Sequence, residues 1–248
     1  MLRLAALTTI AACASAPVAS EDLPVYAGQM VSIAGGLFTM GSVQGEPDEA
    51  PARQVRLPGF EIDRYEVAVG AFDLCVDAGV CRSRVFTERA DLSGERQPVV
   101  GVSWYDASRY CKWVGKRLPS EAEWERAARG AGGGIYPWGN DEAAAKANLR
   151  GQDDRYAATA PIDTMTEGRS AEGVLHMAGN VAEWVDDAYD PTVYKRMEGE
   201  APPAPREGRS RVVRVGSYRD VLYSARGSSR DRRDPGSRWD TVGFRCAR

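Results

Sequence analysis

Lys116-Arg117-Leu118-Pro119-Ser120-Glu121-Ala122-Glu123-Trp124-Glu125 is the stretch from which the fold is read. Ser120 stands ahead of a helical pattern and Glu123 follows three residues later. This is the spacing of a capping box, in which each side chain satisfies the other residue's backbone N–H. A helix therefore begins after Ser120, puts Trp124 and Ala127 on its inner side, and stops at Gly130. Upstream, Ser103 with Asp106 starts another helix, with Trp104, Ala107, Cys111 and Val114 on one face. A third covers Val69 to Ala78. Nearer the amino terminus, Met30 to Met40 carries β-formers on both sides of Gly35-Gly36 and reads as strands around a turn. Val55-Arg56-Leu57 and Phe60-Glu61-Ile62 continue that character. After Gly130 the chain turns to short polar segments and isolated aromatics, and Glu198 to Pro205 reads as a surface loop. No internal repeat is present. The expectation is one irregular, loop-rich α+β domain.

Composition narrows the function. The chain has 248 residues, 43% hydrophobic and 27% charged, so a folded core is expected rather than a disordered or fibrous chain. A net charge of −3 and a pI near 5.4 argue against nucleic acid as a partner. His176 is the single histidine, which removes mechanisms that need several imidazoles, including His-rich zinc sites and facial iron triads.

Arg3 followed by an apolar run from Leu4 to Ala12 fits a secretory signal, being too short for a bilayer span of roughly 20 residues. Ala11-Ala12 ahead of Cys13 reads as a lipoprotein processing site with Cys13 acylated; the alternative is plain secretion with cleavage after Ala16 or Ser20. Residues 1–20 are thus read as signal, 21–29 as spacer and 30–248 as the domain. Export permits disulfides. Cys75, Cys81, Cys111 and Cys246 allow three pairings. Cys75 and Cys81 flank a helix end closed by Gly79, which makes a local bridge easy and leaves Cys111 for Cys246; a reactive thiol pair is the alternative.

Six ordered motifs carry a resemblance. They are Gly36-Leu37-Phe38-Thr39-Met40-Gly41-Ser42, Pro98-Val99-Val100-Gly101-Val102-Ser103-Trp104, the stretch from Lys116 to Glu125, Tyr136-Pro137-Trp138-Gly139-Asn140, Gly179-Asn180-Val181-Ala182-Glu183-Trp184 and Gly243-Phe244-Arg245-Cys246. Together they resemble the formylglycine-generating enzyme, or sulfatase-modifying factor, family from about Met30 to the end. The resemblance implies a compact domain related to the C-type lectin fold, and places Cys111 and Cys246 where the family has a disulfide. The motif tryptophans Trp104, Trp124, Trp138 and Trp184 read equally as core packing, each needing a partner for its N–H.

The resemblance also implies calcium. One site would take the side chains of Asn148 and Asp154 and the carbonyls of Leu149 and Tyr156, an all-oxygen set suited to a hard cation; an ordinary Asx-rich turn is the alternative. A second would use the Gly179 and Val181 carbonyls, the Glu183 carboxylate and the side chain at His176, where the family usually has Asn or Asp. Imidazole is a poor calcium ligand, so His176 reads better as a hydrogen-bonding residue.

The oxidase that this family is named for holds copper on two cysteines, five positions apart, after an Arg-Gly-Gly-Ser-like turn. Here the turn is Arg214-Val215-Gly216-Ser217-Tyr218, and Asp220 and Ala225 stand at the thiol positions. Copper(I) needs soft ligands, so formylglycine generation is not expected. A branch using iron on several histidines is excluded by the single His176. Arginines are dense from Arg206 to Arg238, read as a solvated, salt-bridged face or an anion-binding groove, and the resemblance puts Arg214, Tyr218, Asp220 and Arg226 along the equivalent groove. The expectation is a non-catalytic, calcium-stabilised envelope protein, in the periplasm, on the outer membrane or secreted, that binds a protein or small ligand and reaches the membrane through a lipid anchor. The alternative is an enzyme, a modifying enzyme or oxygenase, with relocated catalytic groups.

Overall fold

The computed structural model describes residues 23–142, 144–151, 155–196, 199, 208–214 and 216–248. The signal segment, Cys13, Asp154, Val215, Arg206 and most of the expected loop from Glu198 to Pro205 lie outside the described residues.

The capping boxes form as expected. Ser103 Oγ accepts from Asp106 N at 3.2 Å, and the Asp106 carboxylate accepts from Ser103 N at 3.1 Å, opening helix α2, Trp104–Trp113. Ser120 and Glu123 do the same at 3.2 and 2.8 Å for α3, Glu121–Arg129, and Gly130 stops that helix at φ +66°. Helix α1, Val69–Asp77, precedes them and turns back at Gly79 (φ +70°), so that Cys81 N donates to Cys75 O at 3.0 Å and the two residues bridge. A single turn, α4, covers Val193–Arg196.

Strands β1 (Met30–Ile33) and β2 (Gly36–Met40) flank the two glycines, yet they do not pair with each other. Strand β1 pairs antiparallel with β4 (Phe60–Asp63), and β2 with β3 (Arg53–Leu57). The expected turn is therefore a crossing between two ladders. A Cβ on Gly35 would lie 2.7 Å from Gly59 N, so the crossing depends on two backbones touching. A third, four-stranded sheet runs in the order β7-β6-β5-β8, formed by Arg230–Arg233, Arg211–Arg214, Ala182–Ala188 and Val242–Phe244, with β8 parallel to β5 and a bulge in β5 after Trp184. Helix α3 packs against β2, β5 and β6 and so joins the two halves.

Two large clusters make most of the core among the described residues, beside two small ones. Around α3 lie Phe38, Met40, Ile62, Trp124, Val185 and Tyr194; around α2 lie Phe72, Tyr110, Trp184, Val213 and Phe244. The motif tryptophans fix their N–H groups: Trp104 to Val185 O, Trp138 to Asp141 O, Trp184 to Val102 O, and Trp124 to the Glu183 carboxylate. The described part of the expected spacer belongs to the domain. Leu23, Tyr26 and Ala27 pack on the α2 cluster, and Gln29 O accepts from Arg64 N at 2.9 Å, because burying those side chains outweighs the entropy of leaving them free. Among the described residues, no helix is long and apolar enough to cross a membrane.

The second bridge, Cys111–Cys246, ties α2 to the chain end across 135 residues, whereas Cys75–Cys81 spans 6. In the chain-entropy picture these closures are worth about 5 and about 2 kcal/mol. Replacing Cys111 and Cys246 together by alanine is expected to lower the unfolding free energy more than the same change at Cys75 and Cys81, as read from denaturant midpoints.

Candidate functional site

The positions that resemble the copper site have acquired other roles. Strand β6 ends at Arg214, and Gly216 (φ +122°) brings the turn against its neighbours: a Cβ there would lie 3.1 Å from Ala225 Cα and 3.2 Å from Gly179 N. Ser217 donates both its N–H (2.9 Å) and its hydroxyl (2.5 Å) to the Asp220 carboxylate, so Asp220 closes the turn. Ala225 is fully buried among Ala147, Leu149 and Ala178. Among the described residues every cysteine is in a disulfide.

Behind the turn lies a buried ionic core. Arg214 has no exposed surface; it donates to Glu121 at 2.9 Å, to Glu125 at 3.1 Å and to Gly227 O at 2.5 Å, with its guanidinium 5.1 Å from the Trp124 ring centre. Arg230 grips Glu121 through two bonds of 2.8 Å, and Arg129 pairs with Glu125. Burial pushes the Glu121 carboxyl up, and the Arg230 and Arg214 guanidiniums overcome it, holding Glu121 below the usual carboxylate range. Tyr194, buried beside Glu121 and Glu125, is raised well above its ordinary value by that burial and by the two negative charges. A separate pair, Arg226 on Glu49 at 2.7 and 2.9 Å, is sealed by Gly45, where a Cβ would collide with both partners.

The four expected groove residues therefore do not line one groove. Arg214 lies inside the core because carboxylates from α3 and the Gly227 carbonyl engage its donors. Tyr218 borders a cavity of about 330 Å³, together with Asn148, Leu149 and Tyr156 and with Arg89 and Arg219. Asp220 and Arg226 border another of about 200 Å³, rimmed by Glu46 and Tyr223. Glu121 and Glu125 are core charges that were not among the residues expected at a site. Their signal was spacing: i and i+4 on the helix, with Glu125 adjacent to the inward Trp124.

Of the first calcium set, Asn148, Leu149 and Tyr156 come together at one cavity, and Asp154 lies outside the described residues. Gly179, Val181 and Glu183 do not offer a second. The Glu183 carboxylate accepts from Trp124 at 2.8 Å and from the Arg245 Nη2–H at 2.6 Å and Nε–H at 2.8 and 3.1 Å, so a cation bound there would sit beside a fixed guanidinium. His176 is buried, with Pro161 as its hydrogen-bond partner and Nε2 without one. Glu66, also buried, accepts from Asn180 at 2.7 Å and is raised well above the carboxylate range by burial and by the Glu183 charge.

Burial, with Arg245 nearby, pulls His176 from 6.5 down to about 4. The imidazole folds neutral, so as pH falls below 6.5 the unfolded chain takes up a proton that the folded chain refuses. Stability is lost from 6.5 down to about 4 and levels below that, by up to about 3 kcal/mol. The difference between the wild-type and His176→Asn stability profiles is expected to trace that slope, checked by urea melts across the range and by the NMR titration of the one imidazole.

Comparison places this geometry in a family. The profile of the Sulfatase-modifying factor enzyme 1-like domain matches residues 16–248. The serine/threonine-protein kinase Pkn1 of Chlamydia trachomatis is 38% identical over 240 residues, covering 89% of this chain, which spans 38% of the kinase's length. The mouse formylglycine-generating enzyme is 31% identical over 302 residues, covering 94% of this chain and 79% of that enzyme. Among solved structures, PvdO from Pseudomonas aeruginosa superposes with a TM-score of 0.77 at 32% identity, covering 88% and 93% of the two chains. With the loop-rich α+β fold and the ordered motifs, these matches make this chain a member of the sulfatase-modifying factor family, whose domain type is that of the formylglycine-generating enzyme.

Proposed function

We propose that this domain is a non-catalytic member of its family: an exported, lipid-anchored binding protein held together by one calcium ion. The observation that carries the reading is the engagement of both thiol positions, Asp220 closing its turn on Ser217 and Ala225 packed into a small apolar cluster. With Cys75, Cys81, Cys111 and Cys246 in disulfides, the folded domain offers copper(I) no thiolate, and the family's cysteine oxidation has neither its ligands nor its thiol.

The two disulfides mark a non-cytosolic protein. The finer assignment, an envelope lipoprotein acylated at Cys13, rests on the residues around that position and is tested by the mass of the mature amino terminus. The calcium ion would take the side chains of Asn148 and Asp154 and the carbonyls of Leu149 and Tyr156. Its partner is an envelope protein or small ligand bound at the surface cavities, with no nucleic acid.

Purified protein incubated with copper, oxygen and a cysteine-containing sulfatase peptide is expected to leave the thiol unchanged by mass spectrometry; formation of the aldehyde overturns the proposal. Calcium is expected to raise the melting temperature, a chelator to reverse the rise, and Asn148→Ala to abolish it by removing one oxygen ligand.

A further inference from the structure

A further cavity shares no lining residue with the two at the turn. It encloses about 600 Å³, against 330 and 200 Å³ for the others. One wall is a tight turn in which Tyr136 and Gly139 exchange backbone bonds of 2.8 and 3.1 Å. That turn stacks the Tyr136 and Trp138 rings 6° from parallel at 5.2 Å, and the Trp138 N–H is fixed on Asp141 O. The facing wall carries Lys146, Glu167, Arg169 and Ser170. A Cβ on Gly168 would sit 2.0 Å from Lys146 O, so this glycine lets the two segments bearing Lys146 and Arg169 close together.

The charges here differ from those of the ionic core. Arg129, at the cavity floor, is engaged by Glu125 and by the Gly41, Gly133 and Gly134 carbonyls. Lys146 and Arg169 have no carboxylate partner among the described residues; Arg169 reaches only Thr166 O, at 3.2 Å. Glu167 likewise pairs with no cation there. The cavity thus presents an aromatic wall, two cations able to receive an anion, and one carboxylate that accepts hydrogen bonds.

We propose that this cavity binds a saccharide ring bearing a carboxylate, a uronate. The three demands select it together. The partly exposed Trp138 ring, backed by buried Tyr136, favours the apolar C–H face of a ring, and Lys146 and Arg169 favour its carboxylate. Glu167 accepts hydrogen bonds, which sugar hydroxyls donate and an aromatic acid such as benzoate does not. A neutral sugar satisfies Glu167 but leaves the cations unanswered, and benzoate does the reverse. The volume accommodates more than one ring. This site is independent of the thiol positions, so its failure leaves the non-catalytic reading of the domain untouched.

Isothermal titration of the purified chain with trigalacturonate, at low salt, tests the assignment. Saturable binding is expected, weakened at least about tenfold in the Lys146→Gln/Arg169→Gln double variant and by a smaller factor in Glu167→Gln, with maltotriose and benzoate each at least about tenfold weaker. The substituted side chains lie at the surface, and an unchanged melting temperature shows that the variants fold. Absence of saturable heat up to about 10 mM, equal affinity in the double variant, or benzoate binding as tightly as trigalacturonate overturns the proposal.

Discussion

Arg214, a guanidinium without exposed surface, anchors the fold: carboxylates and a carbonyl answer its two Nη groups, while its Nε has no hydrogen-bond partner. Its partners Glu121 and Glu125 come from α3, 93 and 89 residues away in the chain, and Gly227 O comes from the segment beyond the turn. Removing one partner would leave an uncompensated buried charge, a loss of about 3–5 kcal/mol. The core therefore fixes α3 against β6, and β6 fixes the turn at Gly216. With the turn in place, Asp220 and Ala225 have determined neighbours. An apolar core of equal volume could hold the helix, but it would not specify the register so tightly, since the two Nη groups of Arg214 have fixed acceptors to meet.

The same logic recurs at two further places. Arg245 binds Glu183 and reaches the Asp63, Arg64 and Leu175 carbonyls, joining the last strand to the segment after β4. Arg226 holds Glu49 and so pins the loop after β2 to the segment between β6 and β7. In a fold with short strands and few ladders, backbone carbonyls need donors, and arginine supplies five from one side chain. This explains why the arginines dense in the last third are divided between the interior and the surface.

Local chemistry was legible in the sequence. Ser103 with Asp106 and Ser120 with Glu123 act across three residues, so the helix starts could be read directly, as could the stop at Gly130. The strands around Gly35-Gly36 were legible as strands, but their partners were not, because pairing depends on Gly59 meeting Gly35 across the fold. Arg214 was misplaced for a related reason: a charged residue is assigned to a surface until its carboxylates are known, and Glu121 and Glu125 are far away in sequence. Residues 23–29 carried too weak a pattern to reveal Leu23 and Tyr26 as packing groups. At the candidate site, the loss of the thiols was plain from residue identity alone. What replaced them, a carboxylate closing a turn and a methyl group in a small cluster, needed the fold.

In this chain oxygen and hydrocarbon stand where the family's oxidase has its soft-metal pocket. Competition for copper(I) against a chromophoric chelator, using protein with Cys13 replaced by serine and its disulfides intact, addresses this directly. The chelator is expected to keep all of its copper. One equivalent of copper(I) withdrawn per chain, with the metal located by X-ray absorption and diffraction beside Gly216 and Asp220, would contradict it.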